Sequence, residues 1–307
     1  MKIVSAEETG YPTKRIKLYK YVTPIGLSNF LEHGDLKLSF RRDSNDLYEC
    51  LPDGYTEKDE FLSQLGFLSF SSKPDNHPMW GNYADKFRGA CLEFSFPYLY
   101  LPRDQYATRM PHAMIQYAIR LEELGTKIYF ISMREINGSL NIDYRGGDGL
   151  LKCYYSHNRS APKSFEDYEG FMGTTNDEDY LREFDKATLW MQKFFRQVST
   201  KHPDWQYEDE YRIPVRNENF TRMQVAGEPR YFTNHYSRFA TKIILGPRSE
   251  YSVWDVLNII AMTTATHPMI SKNLKVVKAD CPSHSYDIRI PDVTPEIDPE
   301  FSCNIFG

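Results

Sequence analysis

The block Trp205-Gln-Tyr-Glu-Asp-Glu-Tyr-Arg-Ile-Pro-Val215 carries two carboxylates and a guanidinium at a spacing of two. An extended strand there sets Glu208, Glu210 and Arg212 on one face and Asp209, Tyr211 and Ile213 on the other. Paired carboxylates do acid and base work, stabilise positive charge that develops during a reaction, or hold a hard cation. A solvated edge strand explains the same charges without chemistry, because charged residues are mostly exposed.

A second group lies between two strand-like runs, Gly66-Phe-Leu-Ser-Phe-Ser71 and Arg88-Gly-Ala-Cys-Leu-Glu-Phe94. The connecting Pro78-Met-Trp-Gly-Asn-Tyr-Ala-Asp85 is polar and aromatic, with Met79, Trp80 and Tyr83 at helical spacing. With Ser69 on the hydroxyl side of the first run and Glu93 near the end of the second, these residues frame a pocket. Trp80 and Tyr83 either sandwich a flat ring or form a core pair at i and i+3.

Asn45 and Asp46 lie in a turn signal, Asp43-Ser-Asn-Asp46, with Glu49 one turn later, and these read as a helix cap or as further ligands. Asp46, Glu49, Glu93, Glu208 and Glu210 together hold the oxygen donors that a Mg²⁺ ion takes, with Lys20 or Arg212 on phosphate, which is the pattern of a metal-dependent nuclease. Against that reading, no strand Asp is followed by Glu-x-Lys. The net charge of −5, from 37 basic and 42 acidic residues, gives no broad footprint for a polyanion. A third reading makes Trp80, Tyr83, Glu93 and Arg212 a buried polar network in a non-catalytic sensor or binding module.

Step by step along the chain, the elements needed to place these groups are legible. Ile16 to Val22 reads as a strand, and Pro24 to His33 as a short helix that Gly34 ends in the left-handed conformation. Leu36 to Phe40 alternates as a second strand. An amphipathic helix is expected between 102 and 125, strands at Lys127–Ser132 and Lys152–Tyr155, and a well-buried helix from Asp179 to Val198. The glycine-rich Arg145–Gly149 lacks the Lys-Ser/Thr ending of a phosphate-binding loop. Lys242–Gly246, Val253–Ala261 and Leu274–Lys278 then read as strand, helix and strand. The pattern predicts an α+β fold with a mixed or antiparallel central sheet. One domain is expected over 1–285, with a helical insertion about 102–200 and an extended tail over 286–307.

Hydrophobic residues make up 41% of the 307 residues, ample for a buried core. The aromatic share of 15%, with 22 tyrosines, suits half-buried clefts and equally a tyrosine-rich homo-oligomer surface. Five scattered cysteines without a C-x-x-C pair argue against a disulfide framework and a closed zinc site. No signal-peptide core or membrane-length apolar run is present, so the expectation is a soluble, cytoplasmic protein without membrane contact.

Five blocks in order, Leu18-Tyr-Lys-Tyr21, Asn45-Asp-Leu-Tyr-Glu49, Met79-Trp-Gly-Asn-Tyr-Ala84, Gly89-Ala-Cys-Leu-Glu-Phe94 and Tyr207-Glu-Asp-Glu-Tyr-Arg212, resemble the bacterial family known as domain of unknown function 2971. The resemblance spans residues 16 to 250 and implies an effector of antiphage or toxin-like systems. Tyr19-Lys-Tyr-Val-Thr23, the following helix and Gly34-Asp-Leu36 are also similar in layout to the start of the ADP-ribosyltransferase-like fold. That layout implies NAD as a small-molecule nucleotide substrate, no metal, and an acceptor that is protein or nucleic acid. It implies binding by Tyr19, Lys20, Tyr21, Asn45, Asp46, Glu49, Ser69, Met79, Trp80, Tyr83 and Glu93. Glu208, Glu210 and Arg212 are then the expected catalytic groups. No Arg-Ser-Glu or His-Tyr-Glu arrangement of matching order accompanies the layout.

Overall fold

The structure is a computed structural model, and it describes residues 2–40, 65–100, 128–136, 139–141, 148–157, 198–216, 221–225, 228–263, 274–283 and 287–292. In chain order the first strands are β1 (Lys2–Ser5), β2 (Thr13–Val22), β3 (Leu36–Lys37), β4 (Ser39–Phe40), β5 (Leu65–Ser71) and β6 (Ala90–Leu99). Next come β7 (Ile128–Phe130), β8 (Ser132–Ile136), β9 (Ser139–Asn141), β10 (Gly149–Lys152), β11 (Tyr154–Tyr155) and β12 (Thr200–Lys201). The last are β13 (Glu210–Arg216), β14 (Thr221–Val225), β15 (Glu228–Thr233), β16 (Ala240–Leu245) and β17 (Lys275–Lys278). The α-helices among the described residues are α1 (Pro24–His33), α2 (His77–Tyr83) and α3 (Val253–Thr263). The fold class is α+β with mixed sheet pairing, as the sequence pattern predicts.

The chain divides into two compact units, each assembled from separate stretches. The first comprises Met1–Ile16, Leu38–Ser72 and Phe96–Tyr231. Its main sheet runs β4-β5-β13-β10-β7, and every neighbouring pair is antiparallel. Alternation along β5 and β13 supplies buried Leu68, Phe70, Ile213 and Val215. Phe70 meets Phe96 edge to face at 5.2 Å. A smaller antiparallel sheet, β1-β8-β9, belongs to the same unit. Of the expected helical insertion, the described residues from Ile128 to Tyr155 form strands β7 to β11. The expected helix over 102–125, and all but the last residue of that over 179–198, lie outside the described residues.

The second unit comprises Lys17–Lys37, Lys73–Ser95 and Phe232–Gly307. Here β6 borders β2 and pairs antiparallel with β16, which pairs in parallel with β17. A parallel neighbour needs a crossover, and α3 supplies it. Helix α1 has the bounds that its local signals dictate. Thr23 caps it by accepting from the Gly26 N–H, and Pro24 stands in the first turn, where a missing N–H costs nothing. Leu27, Phe30 and Leu31 share one face and are fully buried, at about 1.5–3 kcal/mol each.

Gly34 closes α1 at φ 72°, returning its N–H to Phe30 O. A Cβ at that position would sit 3.0 Å from Ser237 Oγ. Gly34→Ala is therefore expected to lose about 1–2 kcal/mol. A shift of the urea midpoint at unchanged m-value measures it; a midpoint equal to wild type refutes it.

The expected strand Leu36–Phe40 is divided: β3 pairs with β15 in the second unit, and β4 pairs with β5 in the first. No helix among the described residues is long and apolar enough to cross a membrane.

Candidate functional site

In the first unit Glu208, Glu210 and Arg212 are all present in one cluster, but not as one face of a strand. Pro203–Glu208 is a 3-10 turn, Asp209 takes the left-handed conformation at φ 41°, and the strand begins at Glu210. The Asp209 N–H closes the turn on Gln206 O, which removes Glu208 from the alternation that sequence spacing suggests. Nor is β13 a solvated edge. It pairs with β5 on one side and β10 on the other, and Glu208, Glu210 and Arg212 are 3%, 4% and 2% exposed.

Burial at that depth demands partners for every charge, and the cluster supplies them. Arg212 donates from Nε to Glu210 Oε1 and from Nη2 to Glu210 Oε2, both at 2.8 Å, and from Nη1 to Val198 O at 2.9 Å. Lys201 Nζ lies 3.0 Å from Glu210 Oε2 and donates to Glu208 Oε2. The Glu210 N–H reaches the Tyr155 hydroxyl at 2.9 Å. Among the described residues, two cations and two carboxylates balance in the cluster. Burial alone pulls the Lys201 ammonium down, yet Glu210 and Glu208 override it and push its pKa well up. Ser69, in register with Arg212, stands beside it, and the guanidinium lies 5.7 Å from the Phe67 ring centroid. Lys201 is a residue that sequence reasoning missed. It sits in the polar stretch Ser199-Thr-Lys-His202, which carries no periodic signal.

The second unit holds a different carboxylate. Glu93 on β6 is 6% exposed, and Tyr19 Oη donates to its Oε2 at 3.3 Å while Thr241 Oγ1 donates to its Oε1 at 2.7 Å. Lys17 Nζ stands 3.8 Å from Oε1 on a side chain 65% exposed. Alternation along β2 sets Lys17, Tyr19 and Tyr21 on this face. Thr241 reaches Glu93 from the register shift between Ala240 and Lys242, where the irregularity re-aims a side chain. Burial first, and then Glu93, push the Tyr19 phenol up to about 12, so it is a hydroxyl donor at neutral pH.

Lys20, expected beside Tyr19 and Tyr21, falls on the opposite face of β2 with Leu18 and Val22 and is 9% exposed. That placement removes it from a phosphate-holding role on the Glu93 face. Tyr21 organises the approach to α2, donating to Lys73 O at 2.7 Å and accepting from the Asn76 N–H at 3.3 Å. Its ring meets Trp80 edge to face at 5.3 Å.

Trp80 is fully buried within this unit, stacks on Phe87 at 6.3 Å and 5° and donates from Nε1 to Pro74 O at 2.8 Å. Its part is therefore core packing. Met79 is buried with it, and Tyr83 is half-buried. After α2 the chain holds Asp85, Lys86 and Phe87 at φ 47°, 56° and 72°, three successive non-glycine residues in a conformation that costs about 1–2 kcal/mol each. The turn is fastened by Lys86 N–H to Gly81 O, Phe87 N–H to Trp80 O and Gly89 N–H to Ala84 O. Gly89 must be glycine, since a Cβ would lie 2.0 Å from Val22 O. A cavity of about 740 Å³ beside this turn is lined by Arg88, Glu250, Tyr251 and Asp255 among others. Arg88 pairs with Asp85 at 2.9 Å, and Asp255 caps α3 by accepting from the Ser252 N–H, so these charges already serve local structure.

The sequence candidates thus form two sets: Ser69, Glu208, Glu210 and Arg212 in the first unit, and Tyr19, Lys20, Tyr21, Met79, Trp80, Tyr83 and Glu93 in the second. Asn45, Asp46 and Glu49 lie outside the described residues. Among the described residues no three His, Cys, Asp or Glu side chains gather as metal donors.

Residues 79–213 match the family described as protein of unknown function (DUF2971). The chain resembles that family. The matched stretch contains the blocks Met79–Ala84, Gly89–Phe94 and Tyr207–Arg212, while Leu18–Tyr21 and Asn45–Glu49 lie before it. It therefore takes in Glu93 of one cluster and the whole Lys201–Arg212 network of the other. No curated protein and no solved structure matches the chain.

Proposed function

We propose that the chain is an NAD-using, ADP-ribosyltransferase-like effector of an antiphage or toxin-like system, with Glu93 as the carboxylate that meets the ribose. One observation carries this reading. Glu93 is held by the neutral hydroxyls of Tyr19 and Thr241, with one exposed ammonium at 3.8 Å, whereas both oxygens of Glu210 are engaged by cations. A carboxylate neutralised by a bidentate guanidinium has little field left for a developing cation, and one oriented by hydroxyls keeps it. The role that the transferase-like layout implied for Glu208 and Glu210 passes to Glu93.

In the proposed reaction the bond between nicotinamide and ribose C1 breaks, and nicotinamide leaves with the electron pair. The ribose passes through an oxocarbenium-like state whose charge Glu93 stabilises. The acceptor nucleophile then bonds to C1 and gives up its proton to a base. The acceptor is a protein or a nucleic acid. A non-catalytic binding module is the second reading, favoured by the saturation of the Arg212 network, which specifies structure without chemistry.

Incubating the purified protein with nicotinamide-labelled NAD in EDTA tests the reading. Release of nicotinamide is expected. Nucleic-acid cleavage that EDTA stops, without nicotinamide release, overturns it in favour of a metal-dependent nuclease; silence in both assays moves the conclusion to the binding module.

A further inference from the structure

The first unit carries a row of tyrosine rings that neither carboxylate cluster uses. Tyr211 on β13 lies opposite Lys152 on β10 in register, and Lys152 Nζ is 5.3 Å from the Tyr211 ring centroid. Tyr129 on β7 comes next, its ring 6.2 Å from Tyr211, and Tyr98 meets Tyr129 edge to face at 5.0 Å. Just past the end of β6, near enough to Tyr98 to act on its phenol, stands Tyr100 with Lys14 Nζ 3.3 Å from its ring centroid. The row thus runs from one ammonium to another through four phenol rings. Tyr100 and Lys14 are exposed, Tyr98 and Tyr129 half-buried, and Tyr211 buried.

We infer that this row binds single-stranded nucleic acid, its bases stacking on Tyr98, Tyr100 and Tyr129 and its phosphates meeting Lys14 and Lys152. Unpaired bases present two π-faces to an aromatic platform, whereas a duplex keeps its bases stacked on each other and out of reach. Ammonium groups at both ends of the platform give the charge complementarity that a phosphate backbone needs. Burial, and for Tyr129 also Tyr211, raises the phenol pKa values of Tyr98 and Tyr129, so the rings stay neutral and do not repel phosphate. Asp209 stands 3.4 Å from Lys152 and offsets part of its charge. Together with the net charge of −5, this makes stacking the larger contribution and the salt dependence shallow.

The test is fluorescence anisotropy of a fluorescein-labelled oligouridylate of about ten nucleotides, without NAD, so that it is decided independently of the transferase reading. Binding is expected, with a slope of log K against log salt of about −1.4 for two phosphate contacts, and a duplex of the same length is expected to bind at least tenfold more weakly. Tyr100→Ala, at an exposed position, should weaken binding about tenfold, and Tyr98→Ala likewise, while Tyr98→Phe keeps the ring and the affinity. Lys14→Ala should make the slope shallower by about 0.7. Absence of binding, equal binding of duplex, or wild-type affinity in the Tyr100→Ala protein overturns the inference.

Discussion

Arg212→Met lowers the stability of the protein by about 3–5 kcal/mol, the loss expected when one member of a buried ion-pair network is removed and the others stay. The reason lies in what remains. Without the guanidinium, Glu208 and Glu210 keep Lys201 alone of the two cations that the described residues give them, and the cluster becomes one charge more negative at 3–6% exposure. Val198 O also loses the donor at 2.9 Å. At roughly 2–4 °C per kcal/mol for a domain of moderate size, the melting temperature should fall by about 6–20 °C.

Removing charge in balance reverses most of that effect. Arg212→Met with Glu210→Leu leaves the Lys201–Glu208 pair neutral, and a well-packed apolar replacement of a buried ion pair is often neutral or better. The double variant should therefore be more stable than Arg212→Met alone, a coupling that a thermodynamic cycle measures. Additive losses, or an Arg212→Met protein that melts with wild type, would show that the network contributes little to folding. The same logic applies to Glu210→Gln, which keeps the shape of the side chain and removes its charge. Any nicotinamide release that this variant loses should follow its loss of stability and return at temperatures where it is folded.

The parts of this molecule that were legible in sequence are those whose cause is local. Thr23, Pro24 and Gly34 fix the bounds of α1 because a cap, a preset φ and a left-handed stop each act within one turn. Strands β5, β6 and β16 declare themselves by apolar and β-branched runs, and Asn76 and Pro78 mark the start of α2. What stayed hidden depends on distant residues or on backbone that sequence does not announce. Asp209 at φ 41° ends the alternation one residue before the strand, so Glu208 reaches the cluster from a turn. Lys201 joins it from a stretch that reads as a polar linker. Thr241 reaches Glu93 only through a register irregularity, and the left-handed run Asp85–Phe87 contains none of the glycines that would signal it. Trp80 shows the converse: an aromatic at helical spacing in a polar turn was ambiguous, and full burial against Tyr21 and Phe87 makes it core.

Glu93→Gln should reduce nicotinamide release by about 10²–10³-fold while leaving the fold intact, the loss typical of removing one group that stabilises transition-state charge. The amide keeps the shape of the carboxylate and one acceptor oxygen for Tyr19 or Thr241, and the Lys17 pair it breaks is long, at 3.8 Å, and exposed on the lysine side, so it is worth little to stability. Melting temperature should accordingly move far less than in Arg212→Met. Tyr19→Phe and Thr241→Val remove one orienting hydroxyl each, and each should cost less than Glu93→Gln because the carboxylate itself remains. Measured side by side at saturating NAD, the three variants separate a charge that acts on the ribose from hydroxyls that aim it. Glu93→Gln protein that is folded and releases nicotinamide at the wild-type rate would remove Glu93 from the chemistry, whatever the effect of the other two.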